Sequence, residues 1–405
     1  MHICVLGAGI AGLAAAYTLQ AQGHQITVID QAEVPADGAS GGNGAQLSYS
    51  YVQPLADPAI WGQLPKLLLA ADSPLKFRLR ADPRQWAWGL AFLAACRRPV
   101  SERSTARLLA LAERSRQGFE AMRADLRPDC DFSSTGKLVL YPDQQGLDGA
   151  ERQIRLQARL GGQPQRLVSP AECVALEPAL AHYQSQVAGA VHTPSENAAD
   201  CQQVCAALAH ALVLRGAELR LGTRVLALQA EGGRVSAVQT SAGPVRADQV
   251  VLSLGADSVR LAAPLGLRLP VYPLKGYSLT LDARSGPGLA PKVSVTDSAR
   301  KVVFARLGSR LRVAGMVELL GYDRGIPADR IASLRRSAAE VFPQCSDFAE
   351  LRPWSGLRPA TPTGLPITGR LRGGPQNLWF NTGHGALGFT LAFGSAAELA
   401  SALGA

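Results

Sequence analysis

Residues 2–30 read HICVLGAGIAGLAAAYTLQAQGHQITVID, and this stretch decides the fold. Apolar runs at 2–7 and 25–30 read as buried strands, and the apolar span Ile10 to Gln22 between them reads as a helix. Gly7, Gly9 and Gly12 form a GxGxxG pattern at the first strand-to-helix turn, the context in which those glycines bind a dinucleotide. They permit a tight turn and let backbone N–H groups approach a pyrophosphate, whose charge sits at the helix N-terminus. Asp30 ends the second strand, where a carboxylate accepts hydrogen bonds from an adenosine ribose and disfavours a 2′-phosphate. Ala8, Ile10, Ala11 and Gln31 complete the expected contacts. This fingerprint does not separate FAD from NAD.

The following loop, GASGGNGAQLS at Gly38 to Ser48, is rich in small residues. Such a loop can bring its backbone, and the Ser40 hydroxyl, against phosphates or a flavin ring.

The whole chain has 405 residues, 47% hydrophobic and 18% charged, with a mean hydropathy of +0.05. That balance excludes disorder, collagen and coiled coil, and the length suits two or three domains or an interleaved pair. Seven scattered cysteines never form CxxC, so neither a disulfide framework nor a metal site is expected, and a reducing compartment is. The N-terminus runs straight into a strand without a secretory pattern, which points to the cytoplasmic side. The longest apolar run, Trp86 to Cys96, is far shorter than the ~20 residues of a bilayer span, so no transmembrane helix is expected. A net charge of +9 comes without a basic, aromatic-interleaved helix, and nucleic acid is not an expected partner.

The pattern predicts an α/β chain, with a Rossmann-like nucleotide domain (1–50, 196–262, 349–405) interleaved with a substrate domain (51–195, 263–348) built on an antiparallel sheet plus helices. Expected helices include PKLLLA (65–70), the PRQWAWGLAFLAACRRP segment, Ser101 to Arg123, Asp148 to Leu160, Ser169 to Leu176, Asp200 to Arg215 and Asp329 to Phe342. Expected strands include Gly136 to Tyr141, Gly189 to His192, Pro270 to Leu281, Lys301 to Phe304, Arg310 to Val317 and NLWFNT (376–382, less its first residue).

WSGLRPATPTGLPITG (Trp354 to Gly369) followed by NLWFNTGHGALGFTLAFGS resembles the D-amino acid oxidase superfamily of FAD-dependent oxidoreductases, most closely the bacterial D-amino acid dehydrogenase small subunits. GAGIAG, VID, VYPLKGYSLT (Val271 to Thr280) and LRVAGMVEL (Leu311 to Leu319) extend the resemblance over nearly the whole chain. The resemblance implies that Arg358 grips the substrate carboxylate, a role suited to a planar guanidinium that donates two parallel hydrogen bonds. It also makes Tyr277, and more weakly Tyr49 and Tyr51, substrate contacts. Ser40, Asn43, Gly44, Ala45, Gln46 and Leu47 would lie along the flavin. Gly383, His384, Gly385, Leu387, Gly388 and Thr390 would pass its pyrimidine side, where a helix N-terminus stabilises negative charge. Val225 and Gly255 would contact the adenine side and the cofactor interior. His384 is either a catalytic contributor there or a structural hydrogen-bonder. The loop around Asn43 has no histidine or cysteine, so the FAD is expected to be non-covalent.

The implied reaction is dehydrogenation of a D-amino acid by hydride transfer to flavin N5, giving an imino acid and then a 2-oxo acid, with electrons passing to a quinone or other carrier. Alternatives are a cis-4-hydroxy-D-proline or D-proline dehydrogenase, a glycine or sarcosine-type oxidase using O2, and a non-catalytic flavin-binding subunit. Trp86, Trp88, Leu90, Phe92 and Leu93, flanked by Arg84, Arg97 and Arg98, suit either an anionic membrane surface or an internal helix. On the membrane reading, replacing Trp88 and Phe92 with serine releases the protein from vesicles without unfolding it.

Overall fold

The computed structural model describes residues 1–58, 60–61, 75–77 (backbone only), 81–286 and 288–404. The predicted helix at 65–70 lies outside the described residues. The first strand, His2–Leu6, pairs in parallel with Gln25–Ile29 on one side and Gln249–Leu252 on the other. Leu378–Thr382 and Ile367–Gly369 extend the sheet beyond Gln249–Leu252, and Glu218–Arg220 closes the opposite edge. These central strands are continuously apolar because helices cover them, among them Ile10–Ala21, Cys201–Leu214 and Gly388–Gly404. A separate three-stranded meander, Val225–Glu231, Arg234–Thr240 and Gly243–Val245, turns at Gly232 and Gly233, both at positive φ.

The substrate sheet has nine strands. Arg352–Ala360, Tyr272–Asp282, Arg310–Leu319 and Val302–Leu307 are antiparallel neighbours, continued through Ser294–Asp297, Lys137–Tyr141, Gly189–Thr193 and Arg166–Val168. Leu75–Phe77 pairs alongside Arg310–Leu319. One face packs Leu279, Leu281, Leu311 and Val313 against Leu334, Ala338 and Val341 of the Ala328–Val341 helix. The other face opens toward the nucleotide-binding half.

Some elements fall elsewhere than the sequence suggests. Residues 349–405 were expected in the nucleotide domain, but Arg352–Ala360 is a strand of the substrate sheet, paired along its length with Tyr272–Asp282. The long helix Arg98–Leu126 lies within the expected substrate segment, yet Leu108, Leu111, Ala112, Phe119 and Met122 pack into the nucleotide core. Its amphipathic stripe needed an apolar partner, and the terminal helix supplies one: Gly118 meets Phe393, and Gly394 meets the Leu111 carbonyl. That terminal stretch, Gly385–Gly404, with mean hydropathy 1.4, is also long and apolar enough to cross a bilayer, unlike the Trp86–Cys96 run. Its Phe389, Leu391, Phe393, Ala396 and Leu399 are buried, which makes it a core helix.

Trp88 and Phe92 are buried and stacked with ring centroids 5.2 Å apart, and Trp88 Nε1 donates to the Ala360 carbonyl at 2.8 Å. Helical periodicity within Pro83–Ala95 turns these two inward, whereas Trp86 (51% exposed) and Leu90 (68%) face out. Serine at 88 and 92 would therefore open the core rather than detach a surface.

Candidate active site

A cavity of about 1530 Å³ runs from the C-terminal ends of the parallel strands across the open face of the substrate sheet. It exceeds the ~300–1,000 Å³ typical of small-molecule pockets, leaving room for an extended dinucleotide and a substrate. Of the residues nominated from sequence, all but Ala8, Gly12, Leu47, Gly383 and Tyr49 line it.

At its nucleotide end the glycines are fixed by close approach. A Cβ on Gly12 would lie 1.9 Å from the Gly7 carbonyl oxygen, and Gly7, at φ +114°, would meet the Ser253 carbonyl at 2.5 Å. Gly12 thus serves the cradle from behind. The Ala8 and Ala32 N–H groups donate to the Asp30 carboxylate at 2.7 and 2.9 Å, holding it beside the cavity. Ser40 Oγ accepts from Ile10 N–H at 3.0 Å, tying the small-residue loop to the helix N-terminus. Farther along, Arg312 Nη1 donates to the Asn43 carbonyl, and the Asn43 side chain accepts from Ala45 N–H. A Cβ on Gly44 would lie 2.9 Å from Val303, so only glycine lets this loop run close over the sheet. A backbone cradle filled by any Cβ, a carboxylate at the second strand end and a loop of small residues together fit FAD.

At the other end stands Arg358. Gly276 and Gly356 pair across adjacent strands, and this bare patch receives two side chains. A Cβ on Gly276 would lie 2.3 Å from Arg358 Nη2, and one on Gly356 would lie 2.0 Å from the Trp354 ring. Trp354 also lies against Gly42, joining the cofactor loop to the sheet; sequence reasoning did not nominate it. Arg358 Nη1 donates to the Met316 carbonyl at 2.8 Å, beside a register shift in the Tyr272–Asp282 pairing, and Met316 itself holds φ +62°. No carboxylate pairs with Arg358 among the described residues, and burial alone pulls its guanidinium down to about 10, so it stays protonated at neutral pH. An uncompensated guanidinium in a cavity is a site for an anion.

The tyrosines divide. In Tyr272–Asp282, Gly276 faces the cavity, so alternation turns Tyr277 to the opposite face, among Leu279, Val313 and Leu334. Its hydroxyl donates there to Glu318, which is paired with Arg330 of the covering helix. Tyr277 thus borders the cavity while its hydroxyl is engaged away from Arg358. Tyr49 is buried in the nucleotide core, and Tyr51 lines the cavity beside Lys137.

His384 lines the cavity and is almost fully buried. Ser395 donates its hydroxyl proton to the Ala392 carbonyl, so His384 Nε2 carries a proton and donates to Ser395 Oγ at 2.8 Å. Burial pulls the imidazole down to about 4, which makes it neutral at physiological pH. Any positive potential on this side comes from the start of the Gly388–Gly404 helix.

A doubly covered dinucleotide sheet joined through one cavity to a carboxylate-binding guanidinium defines a flavin oxidoreductase. The chain belongs to the FAD-dependent oxidoreductase family of the D-amino acid oxidase type, whose model matches residues 2–402. It is 45% identical over 410 residues to D-amino acid dehydrogenase 2 of Ralstonia nicotianae, covering 99% of this chain and 96% of that one. It is 44% identical to D-amino acid dehydrogenase 2 of Pseudomonas aeruginosa, covering 100% and 95%. The fold is similar to that of glycine oxidase from Geobacillus kaustophilus (TM-score 0.74, 23% identity, covering 98% and 94%). It is also similar to that of L-proline dehydrogenase from P. horikoshii (TM-score 0.76, 19% identity, covering 99% and 92%).

Proposed function

We propose that the chain dehydrogenates D-amino acids to imino acids, which hydrolyse to 2-oxo acids. The observation that carries this reading is Arg358, a charged fork without a carboxylate partner among the described residues, laid over Gly276 inside the FAD cavity. The relatives named as D-amino acid dehydrogenases support the choice of substrate.

Gly7, Gly9, Asp30 and Ser40 would hold the dinucleotide, and the Gly42–Gln46 backbone, Gly385–Gly388 and Thr390 would hold the ring. When bound, FAD supplies the two-electron acceptor. Arg358 fixes the amino-acid carboxylate by charge-assisted hydrogen bonds, restricting its orientation, and the cavity walls exclude water. The amine must be unprotonated so that its lone pair can stabilise the developing iminium, and no acid or base side chain is nominated. Catalysis in this scheme is orientation and desolvation.

The proposed electron acceptor is a quinone or other carrier, reached on the cytoplasmic face of a membrane. Exposed Trp86 and Leu90, with Arg84, Arg97 and Arg98 on the same helix and its flank, are the proposed peripheral contact. The deciding experiment is anaerobic bleaching of the flavin absorbance with paired D- and L-amino acids, including D-alanine, D-proline and cis-4-hydroxy-D-proline. Bleaching by D-isomers alone is expected. A fully loaded flavin that no D-amino acid reduces would overturn the reading.

A further inference from the structure

Two buried charged residues beside the cavity have no part in the scheme above. Lys137 begins the Lys137–Tyr141 strand, is 3% exposed and lines the cavity. Its Nζ donates to Ser48 Oγ at 2.9 Å and sits 4.4 Å from the Tyr51 ring centroid. Glu196 is 1% exposed; Oε1 accepts the Ser50 N–H at 2.7 Å, and Oε2 is buried with no hydrogen-bond partner among the described residues. The same short segment that carries both partners touches the flavin end of the cavity, because Ser48 N–H donates to Thr390 Oγ1 at 3.2 Å.

Burial disfavours charge on both groups, pulling Lys137 down and pushing Glu196 up, while each opposes the shift of the other. Their neighbours do not titrate in the same range. Burial raises Tyr49, Tyr51 and Tyr141 and keeps His192 neutral, and Asp297 is committed to Arg300. The Gln144–Arg159 helix turns only Leu147, Ala150 and Gln157 inward. Near neutral pH the local charge therefore changes through Lys137 and Glu196, from net positive on the acid side to net negative on the alkaline side.

We propose that Lys137 and Glu196 form a proton-exchanging pair that tunes the reduction potential of the bound flavin through the Ser48–Thr390 wall. The inference rests on the placement of FAD proposed above. Two electrons entering the flavin add negative charge to the cavity, and the pair answers by taking up a proton from solvent, so reduction is favoured at lower pH beyond the flavin's own dependence. Both residues are positioning residues, since neither is assigned contact with substrate.

The test is the flavin midpoint potential, measured by stepwise dithionite titration against an indicator dye from pH 6 to 9. Lys137→Met is expected to lower the reduced-to-oxidised ratio about tenfold at pH 6, ~30 mV for two electrons, and to flatten the pH dependence. Glu196→Gln is expected to match wild type at pH 6 and to exceed it at pH 9, where the lysine now keeps its charge. A merely structural role would alter flavin content or melting but not the slope against pH. Lys137→Met superimposing on wild type across the range would overturn the pairing. If that variant does not fold, Glu196→Gln equal to wild type at pH 9 overturns it instead. Asp30→Ala binding FAD as tightly as wild type would sink the placement rather than the pair.

Discussion

Arg358 owes its position to residues that have no side chain. The guanidinium lies where a Gly276 Cβ would be, so its orientation depends on a cross-strand glycine pair as much as on its own rotamer. Lysine at 358 retains charge but not the fork, and losing one charge-assisted hydrogen bond costs about 1.5–3 kcal/mol, roughly 10- to 150-fold in kcat/KM. Gly276→Ala should reproduce much of that loss with FAD still bound, read as a raised KM in anaerobic flavin reduction; unchanged kinetics would show that the guanidinium reaches substrate from another position. His384 sets a pH limit. Its folded value, about 4, lies below the ordinary 6.5, so the unfolded chain binds the proton first, and stability falls as pH drops from about 6.5 to 4. His384→Gln is expected to reduce that acid sensitivity in melting curves from pH 7 to 4.5.

Arg358 and the GxGxxG glycines were legible because each sits in a contiguous motif whose chemistry is local. The Gly276–Gly356 pair was not, because its partners are 80 positions apart and meet only through strand register. Tyr277 shows the other limit. YPLKGYSLTL is buried on both faces, so alternation existed without a sign telling which face would meet substrate.

Among the elements, Pro83–Ala95 shows how periodicity sorts aromatics that composition lumps together. Trp88 and Phe92 belong to the core, and Trp88→Ser is expected to destabilise the fold by about 3–5 kcal/mol, seen in denaturant unfolding. Trp86→Ser with Leu90→Ser should leave stability within ~1 kcal/mol and reduce sedimentation with anionic vesicles. Unaltered sedimentation would remove the membrane contact. The Ser169–Pro170 start was readable because helix capping is local, and the structure closes it into a reciprocal box with Glu172. The Arg352–Ala360 strand was harder to read: Pro353 and Pro359 interrupt its sequence, while its pairing partner lies far upstream.

At the scale of the whole molecule, the two halves share their supports. The Arg98–Leu126 helix leaves the substrate half to pack against the terminal helix, and Gly394 approaches the Leu111 backbone so closely that an added Cβ would stand 2.3 Å from its carbonyl oxygen. Gly394→Ala must part the two helices, an overpacking cost of about 1–3 kcal/mol. A fall of several degrees in Tm, with partial loss of FAD, is expected, and a Tm equal to wild type would show that the helices yield without strain. The nucleotide fingerprint announced its sheet, but the length of chain separating that sheet's strands concealed which helices would cover it.

That separation sets the order in which the molecule can be made. His2–Leu6 leaves the ribosome first, yet its second neighbour is Gln249–Leu252, and that strand in turn needs Leu378–Thr382. The dinucleotide sheet therefore stays incomplete until translation is almost finished, with its apolar strands waiting on partners hundreds of residues away. Such long loop closures slow folding and leave sticky surface uncovered, so the nascent chain depends on chaperone shelter until its last helix emerges.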